Sequence, residues 1–212
     1  RAMMLLAKKK RAEVKAGKQV ASAAGPGGVL TSFVGGIQEL TDGTVKGLKG
    51  EVRTGQAVAG LKKIDGGWEL RLSDGSNYDA DVVVSAAPAH VLKELTWSVD
   101  GELSELLGAI PYAPMNVICF GYEQEKVARD LDGFGYLIPK KEGCNILGTL
   151  WDSSIFPQRA PEGHVMLRSM MGGATTPEAI ELSDAEVKER TMAELKKIMG
   201  IEAEPDFVRI FR

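Results

Sequence analysis

The chain has 212 residues, 44% of them apolar and 26% charged, with a formal net charge of −3. That apolar share excludes a disordered chain, which would be poor in apolar residues, and it suffices for one or two buried cores. No apolar run approaches the roughly 18 residues that a membrane-spanning helix needs. Two cysteines, Cys119 and Cys144, exclude a disulfide framework, and a reduced cytoplasmic setting is expected.

Residues 1–20, rich in Ala, Lys, Met and Leu, predict a helix. They carry Arg1, Lys8, Lys9, Lys10, Arg11, Lys15 and Lys18 against Glu13 alone, a local net charge of +6. No aromatic residue is interleaved for base stacking, so nucleic acid is not an expected partner and the cluster reads as a solvated helix face. The run Ala23-Ala-Gly-Pro-Gly-Gly28 predicts a loop, Val29 to Val34 a short strand, and Ile37, Leu40, Val45 and Leu48 a helix interrupted at Gly47 and Gly50. A meander follows. Ala57 to Ile64 predicts a strand, Asp65-Gly66-Gly67 a turn, the alternating Trp68, Leu70 and Leu72 a second strand, Asp74-Gly75 a second turn, and Tyr78 with Ala80 a third strand. The continuous run Val82-Val83-Val84 predicts a strand buried on both faces, and Pro88 opens a helix whose apolar face is Val91, Leu92 and Leu95.

Beyond Tyr112, strands are expected at Val117 to Phe120, Gly135 to Ile138, Ile146 to Trp151 and Val165 to Met171. Ser183 and Glu186 form a capping box, Val187, Thr191, Leu195 and Ile198 mark one helical face, and Gly200 supplies the stop. The chain closes on the alternating stretch Phe207 to Arg212, a strand pattern with no turn residue after it, and opens on Arg1 without the apolar run of a signal peptide. An interior piece of a longer polypeptide is the expectation.

Residue chemistry alone gives little more. His90 and His164 lack Cys or carboxylate partners at metal-ligand spacing, so no metal site is expected. Neither a nucleophile elbow nor a phosphate-loop lysine is present. Gly25-Pro-Gly-Gly-Val-Leu30 and Gly133-Phe-Gly-Tyr-Leu-Ile138 both lack the third glycine of a dinucleotide fingerprint and read as turns.

Longer strings are more informative. Ser32-Phe-Val-Gly-Gly-Ile-Gln-Glu-Leu-Thr-Asp42 resembles the middle segment of flavoproteins of the amine-oxidase superfamily, as do Val58, Leu61 and Ile64 in a V-x-x-L-x-x-I arrangement and Asp81-Val-Val-Val-Ser-Ala-Ala-Pro88. Gly133-Phe-Gly-Tyr-Leu-Ile-Pro139, Ile146-Leu-Gly-Thr-Leu150, Phe156-Pro-Gln-Arg-Ala-Pro161 and Met170-Met-Gly-Gly173 follow in the order and spacing of its protoporphyrinogen oxidases. The resemblance covers about Ser32 to Arg212. It implies an α+β fragment: an α/β-type portion of an FAD-binding domain, then a mixed or antiparallel substrate-domain sheet with covering helices. Residues 1–30 would be a helical segment and linker, 31–110 the middle of the FAD domain, and 111–212 a truncated substrate domain.

By the same resemblance the parent would be an FAD-dependent oxidoreductase that converts protoporphyrinogen IX to protoporphyrin IX in haem biosynthesis, with the flavin doing the redox work. Val58 and Ala86 would border FAD, and Leu137, Leu150 and Met170 would line the porphyrinogen pocket, Met170 standing where the family often has Phe. The plainer alternative makes these three ordinary core residues. The segments that would bind the FAD pyrophosphate and complete the flavin site are missing, so the fragment alone is expected to hold FAD poorly, show no turnover and self-associate through uncovered apolar faces. The basic helix would suit peripheral membrane contact, as is the family's habit. An amine oxidase, a carotenoid desaturase or a non-catalytic binding module remain the alternatives.

Overall fold

The computed structural model describes residues 30–212. The helix expected over residues 1–20 and the loop after it lie outside the described residues. Leu30 to Val34 form no strand; they run irregularly into a turn in which the Gly36 N–H donates to the Phe33 carbonyl at 3.1 Å. The described residues divide into two compact units, one spanning 40–112, the other joining 113–212 to the stretch that ends at Glu39. Both contain helices and antiparallel sheet, an α+β composition.

Helix α1 (Gln38–Gly47) follows the Gly35-Gly36 turn, and the Glu39 carboxylate accepts the Gly35 N–H at its start. The 40–112 unit then forms the expected meander of β1 (Val58–Ile64), β2 (Gly67–Leu72) and β3 (Asn77–Ala80), antiparallel in the order β1-β2-β3. Turn chemistry fixes the register: the Asp74 carboxylate accepts both the backbone N–H and the hydroxyl of Ser76, pinning the second turn. Helices α2 (Ala89–Thr96) and α3 (Gly101–Gly108) form a hairpin, held where the Ser104 hydroxyl donates to the Lys93 carbonyl at 2.8 Å. Asp100 caps α3 by accepting the Leu103 N–H.

One expectation fails in this unit. Val82 to Val84 form no strand, and Val82 and Val84 are 75% and 90% exposed. β-Branched residues favour extended backbone, but a strand exists only where a neighbour completes its ladder, and no strand among the described residues pairs with this run. Helix α3 was not expected; its eight residues are bounded by glycines at both ends, which hid its period.

The second unit is a fully antiparallel sheet of β4 (Met115–Glu123), β5 (Gly135–Leu137), β6 (Gly148–Trp151), β7 (His164–Gly172) and β8 (Phe207–Phe211), ordered β5-β6-β7-β4-β8. A short helix, α4 (Asp152–Ile155), follows β6, and α5 (Asp184–Met199) covers one face. Burial alternates along β4 and β7: Ile118, Phe120, Tyr122, Val165, Leu167 and Met171 form the core with Val187 and Leu195 of α5. The capping box is complete, with the Ser183 hydroxyl accepting the Glu186 N–H and the Glu186 carboxylate accepting the Ser183 N–H, and Gly200 ends the helix in the left-handed conformation.

Glu194 of α5 is buried, and one of its carboxylate oxygens accepts both the backbone N–H and the side-chain amide of Asn145, at 2.8 and 2.9 Å. Burial alone would push its pKa up, but these hydrogen bonds to the ionised form outweigh it and hold the group below the ordinary carboxylate value. A depressed folded-state pKa contributes stability above the unfolded value of about 4.3, lost as pH falls through the folded value. Glu194→Gln should therefore cost about 1 kcal/mol at pH 7 and almost nothing at pH 3, as read from urea unfolding at both pH values.

Candidate functional site

The face of the second sheet turned away from α5 is built by the other half of the same alternation. Residues directly opposite in an antiparallel ladder share a face, so the registers define rows across the sheet. One row runs Leu137, Gly148, Met170, Val117, Phe211. The next runs Gly135, Leu150, Arg168, Cys119, Arg209. Leu137 is 76% exposed, Phe211 is exposed, and Leu150, Met170 and Val117 are half-buried. These side chains are therefore not core residues, since their partners across the sheet plane at Thr149, Leu167, Ser169 and Met171 take the buried positions.

The sheet thus brings Leu137, Leu150 and Met170 onto one open, largely apolar face. Gly148 separates Leu137 from Met170, and a Cβ there would stand 2.3 Å from the Tyr136 carbonyl oxygen, so that point of the row has no room for a side chain. Gly148 is itself buried, with the Leu137 side chain close beside it.

Polar groups enter this face sparingly. Arg168 donates from Nη2 to Oδ1 of Asp152 at 2.9 Å, and Asp152, at the start of α4, is buried. Burial pushes the Asp152 carboxyl up, and the Arg168 charge opposes the rise. Burial likewise raises the Cys119 thiol, against a smaller opposite effect of Arg168. Such a thiol stays protonated near neutrality and is a poor nucleophile. Arg168 and Arg209 were missed in the sequence; the signal available was Arg168 at two-residue spacing from Met170 and Met166, which puts all three on one face.

Val58 and Ala86 lie in the other unit. Val58 begins β1, which among the described residues pairs with β2 alone; midway along β1 the Leu61 carbonyl accepts the Ser98 hydroxyl at 3.3 Å. Ala86 is exposed in the irregular segment before α2. No hydrogen bond joins the two among the described residues.

The description "Flavin containing amine oxidoreductase" matches residues 3–212 of the chain. The chain belongs to this family. It is 33% identical over 197 residues to the mitochondrial protoporphyrinogen oxidase of Nicotiana tabacum, covering 84% of this chain and 38% of that protein. It is 30% identical over 182 residues to the coproporphyrinogen III oxidase of Bacillus subtilis, covering 84% and 37%. A crystal structure from Exiguobacterium sp. 255-15, provisionally assigned as a protoporphyrinogen oxidase, superimposes with a TM-score of 0.74 at 20% identity, over 85% of this chain and 39% of that one. The chain spans less than two fifths of the length of each of these relatives.

Membership implies FAD, and the described residues can be tested against it. A dinucleotide pyrophosphate is usually cradled where a strand runs through a glycine turn into a helix. Gly35-Gly36 opens α1, but no strand precedes it among the described residues, and the Gly35 N–H is already taken by Glu39. The described residues do not fit the pyrophosphate. No helix among them is long and apolar enough to cross a membrane.

The two faces of the sheet make opposite demands on substitution. Leu150→Glu, on the open face, should leave the chain folded, with a melting temperature within a few degrees of wild type, because its carboxylate stays solvated. Leu167→Glu, fully buried on the α5 side, should abolish cooperative unfolding, because an unpaired carboxylate cannot be left in that core. Thermal melts followed by circular dichroism compare the two; equal loss of structure would show that both faces are core.

Proposed function

We propose that this chain is the central part of an FAD-dependent protoporphyrinogen oxidase that forms protoporphyrin IX in haem biosynthesis. In this reading residues 113–212 supply the substrate-facing sheet and residues 40–112 part of the FAD-binding domain. The observation that carries it is the row Leu137, Gly148, Met170, Val117, Phe211, an apolar strip on the open face of the sheet. A porphyrinogen is a large, mostly apolar macrocycle, and a site for it needs broad apolar contact with few polar anchors. Support comes also from the relatives, which are named for porphyrinogen oxidation and match most of this chain. A coproporphyrinogen substrate is the second reading, favoured by the Bacillus subtilis relative.

The redox chemistry is the flavin's, acceptance of hydride equivalents from the macrocycle. The chain's own contribution is to bind and orient: Leu137, Leu150 and Met170 hold the ring and exclude water from it. Val58, through the backbone of β1, would border the cofactor's adenine, and Ala86 would lie against the cofactor. Within residues 40–112, Leu72 and Ala89 are the only buried hydrophobic residues among those described, while Val82, Val84, Trp97, Leu106 and Ile110 are exposed. Such surface favours a covering partner, whether further chain, a second copy or a membrane surface.

In the flavin-loaded full-length protein, Leu150→Glu should raise KM for porphyrinogen at least tenfold, or abolish turnover, with flavin content near wild type. Met170→Phe should be tolerated and tighten binding of the porphyrin product, because an aromatic ring adds stacking area. Steady-state kinetics with protoporphyrinogen, coproporphyrinogen and a primary amine, on preparations of matched flavin content, check the assignment. Turnover of the amine with neither porphyrinogen oxidised would overturn it.

A further inference from the structure

We infer that Arg168 and Arg209 form a two-point carboxylate anchor on the open sheet face, and that they select macrocycles bearing acid side chains. This inference rests on the porphyrinogen reading above and deepens it. Both residues stand opposite Cys119 of β4, Arg168 on β7 and Arg209 on β8. They therefore share one face and lie two strand spacings apart, about 10 Å between backbones. Their row adjoins the apolar strip that contains Met170 and Val117, so a ring lying on the strip would present its edge to both guanidiniums.

The state of each guanidinium points to a missing acceptor. Arg168 spends Nη2 on the buried Asp152, which fixes the plane of the group. Its Nε is buried with no hydrogen-bond partner, while the side chain as a whole is 41% exposed. With Nη2 on Asp152 and Nε shut away from solvent, Nη1 is the donor this guanidinium has left for an incoming acceptor. Arg209 has its guanidinium 5.5 Å from the centre of the Phe211 ring and makes no ion pair among the described residues. Asp152 offsets the charge of Arg168, so Arg209 supplies the uncompensated positive charge and Arg168 the oriented donors. Planar, forked donors of this kind match carboxylates, and Lys does not replace them.

The chemistry of the ligand fits that spacing. Protoporphyrinogen carries two propionate arms on neighbouring pyrroles, and coproporphyrinogen carries four. Two arms leaving one edge of the ring can each reach one guanidinium while the ring stays on the apolar strip. The anchor thus places the hydrophobic part of the macrocycle over Met170 and Leu137 and keeps its acid edge toward β4 and β8.

The test compares protoporphyrinogen with its dimethyl ester in the flavin-loaded full-length protein, and protoporphyrin IX with its dimethyl ester in fluorescence titrations. Arg168→Gln and Arg209→Gln should each raise KM and the porphyrin Kd about tenfold for the diacid, with the loss falling on KM rather than kcat, and should leave the ester values unchanged. Arg168→Lys, which keeps the charge beside Asp152 and loses the fork, should recover only part of the loss. An equal rise for diacid and ester, or none for either, would overturn the anchor while leaving the apolar face as the substrate site. A wild-type protein that neither oxidises nor binds either form would instead overturn the porphyrinogen reading beneath it. Should Arg168→Gln lose flavin or fold by orphaning Asp152, Arg209→Gln on the exposed edge strand decides the matter alone.

Discussion

The two-residue period of β4 and β7 governs everything the second unit can do. Each strand commits alternate residues to α5 and the remainder to the opposite face, and a slip of one residue would exchange the two sets completely. Ile118, Phe120 and Tyr122 on β4 and Val165, Leu167 and Met171 on β7 are large and apolar enough to fix that choice by burial. The set left over, Val117 and Cys119 with Met166, Arg168 and Met170, is then presented outward without any further instruction. Core packing and the candidate binding face are thus a single constraint seen from two sides, and a core mutation that shifted the register would destroy the face without touching it.

Polar groups secure the same register from within. Asn116 donates to the Ala179 carbonyl at 2.7 Å, and the Thr149 and Ser169 hydroxyls lie 2.9 Å apart across β6 and β7. Buried polar pairs of this kind are satisfied in one alignment and orphaned in the others, so they add specificity where apolar contact alone is forgiving. At the end of the sheet Arg212 bonds the Asn116 side chain, the Ile180 and Leu182 carbonyls and the Asp184 carboxylate, tying β8 to the entry of α5. This clasp holds the strand that carries Arg209 and Phe211 against the central strand β4.

Local chemistry was legible in the sequence and long-range pairing was not. The Ser183–Glu186 box, the Gly200 stop and the Asp65-Gly66 and Asp74-Gly75 turns act within a few residues of themselves, and each is found where its pattern predicts. Val82 to Val84 failed because strand character depends on a ladder partner that no local pattern specifies. The apolar members of the candidate face were named through family strings, yet their coplanarity needed the register of four strand pairs. Arg168 escaped because it is polar within an apolar run; its two-residue spacing from Met166 and Met170 carried the signal, and its pairing with Leu150 extends the shared face to the neighbouring strand.

The composition of the face also limits what it can do chemically. Its thiol is pushed toward the protonated form by burial, its buried carboxyl is engaged by Arg168, and His164 stands exposed at the far end of β7 opposite Glu123, two rows from Arg168. Neither the thiol nor the carboxyl is poised as a general base near neutral pH, since the first is protonated and the second is already paired. A site with apolar contacts and two guanidiniums can hold and orient a large acid-bearing ring, but around Leu150, Arg168 and Met170 it has no redox group with which to take electrons from it. Redox chemistry at such a face would have to come from a cofactor, and that division of labour is the one a flavin-containing oxidoreductase uses.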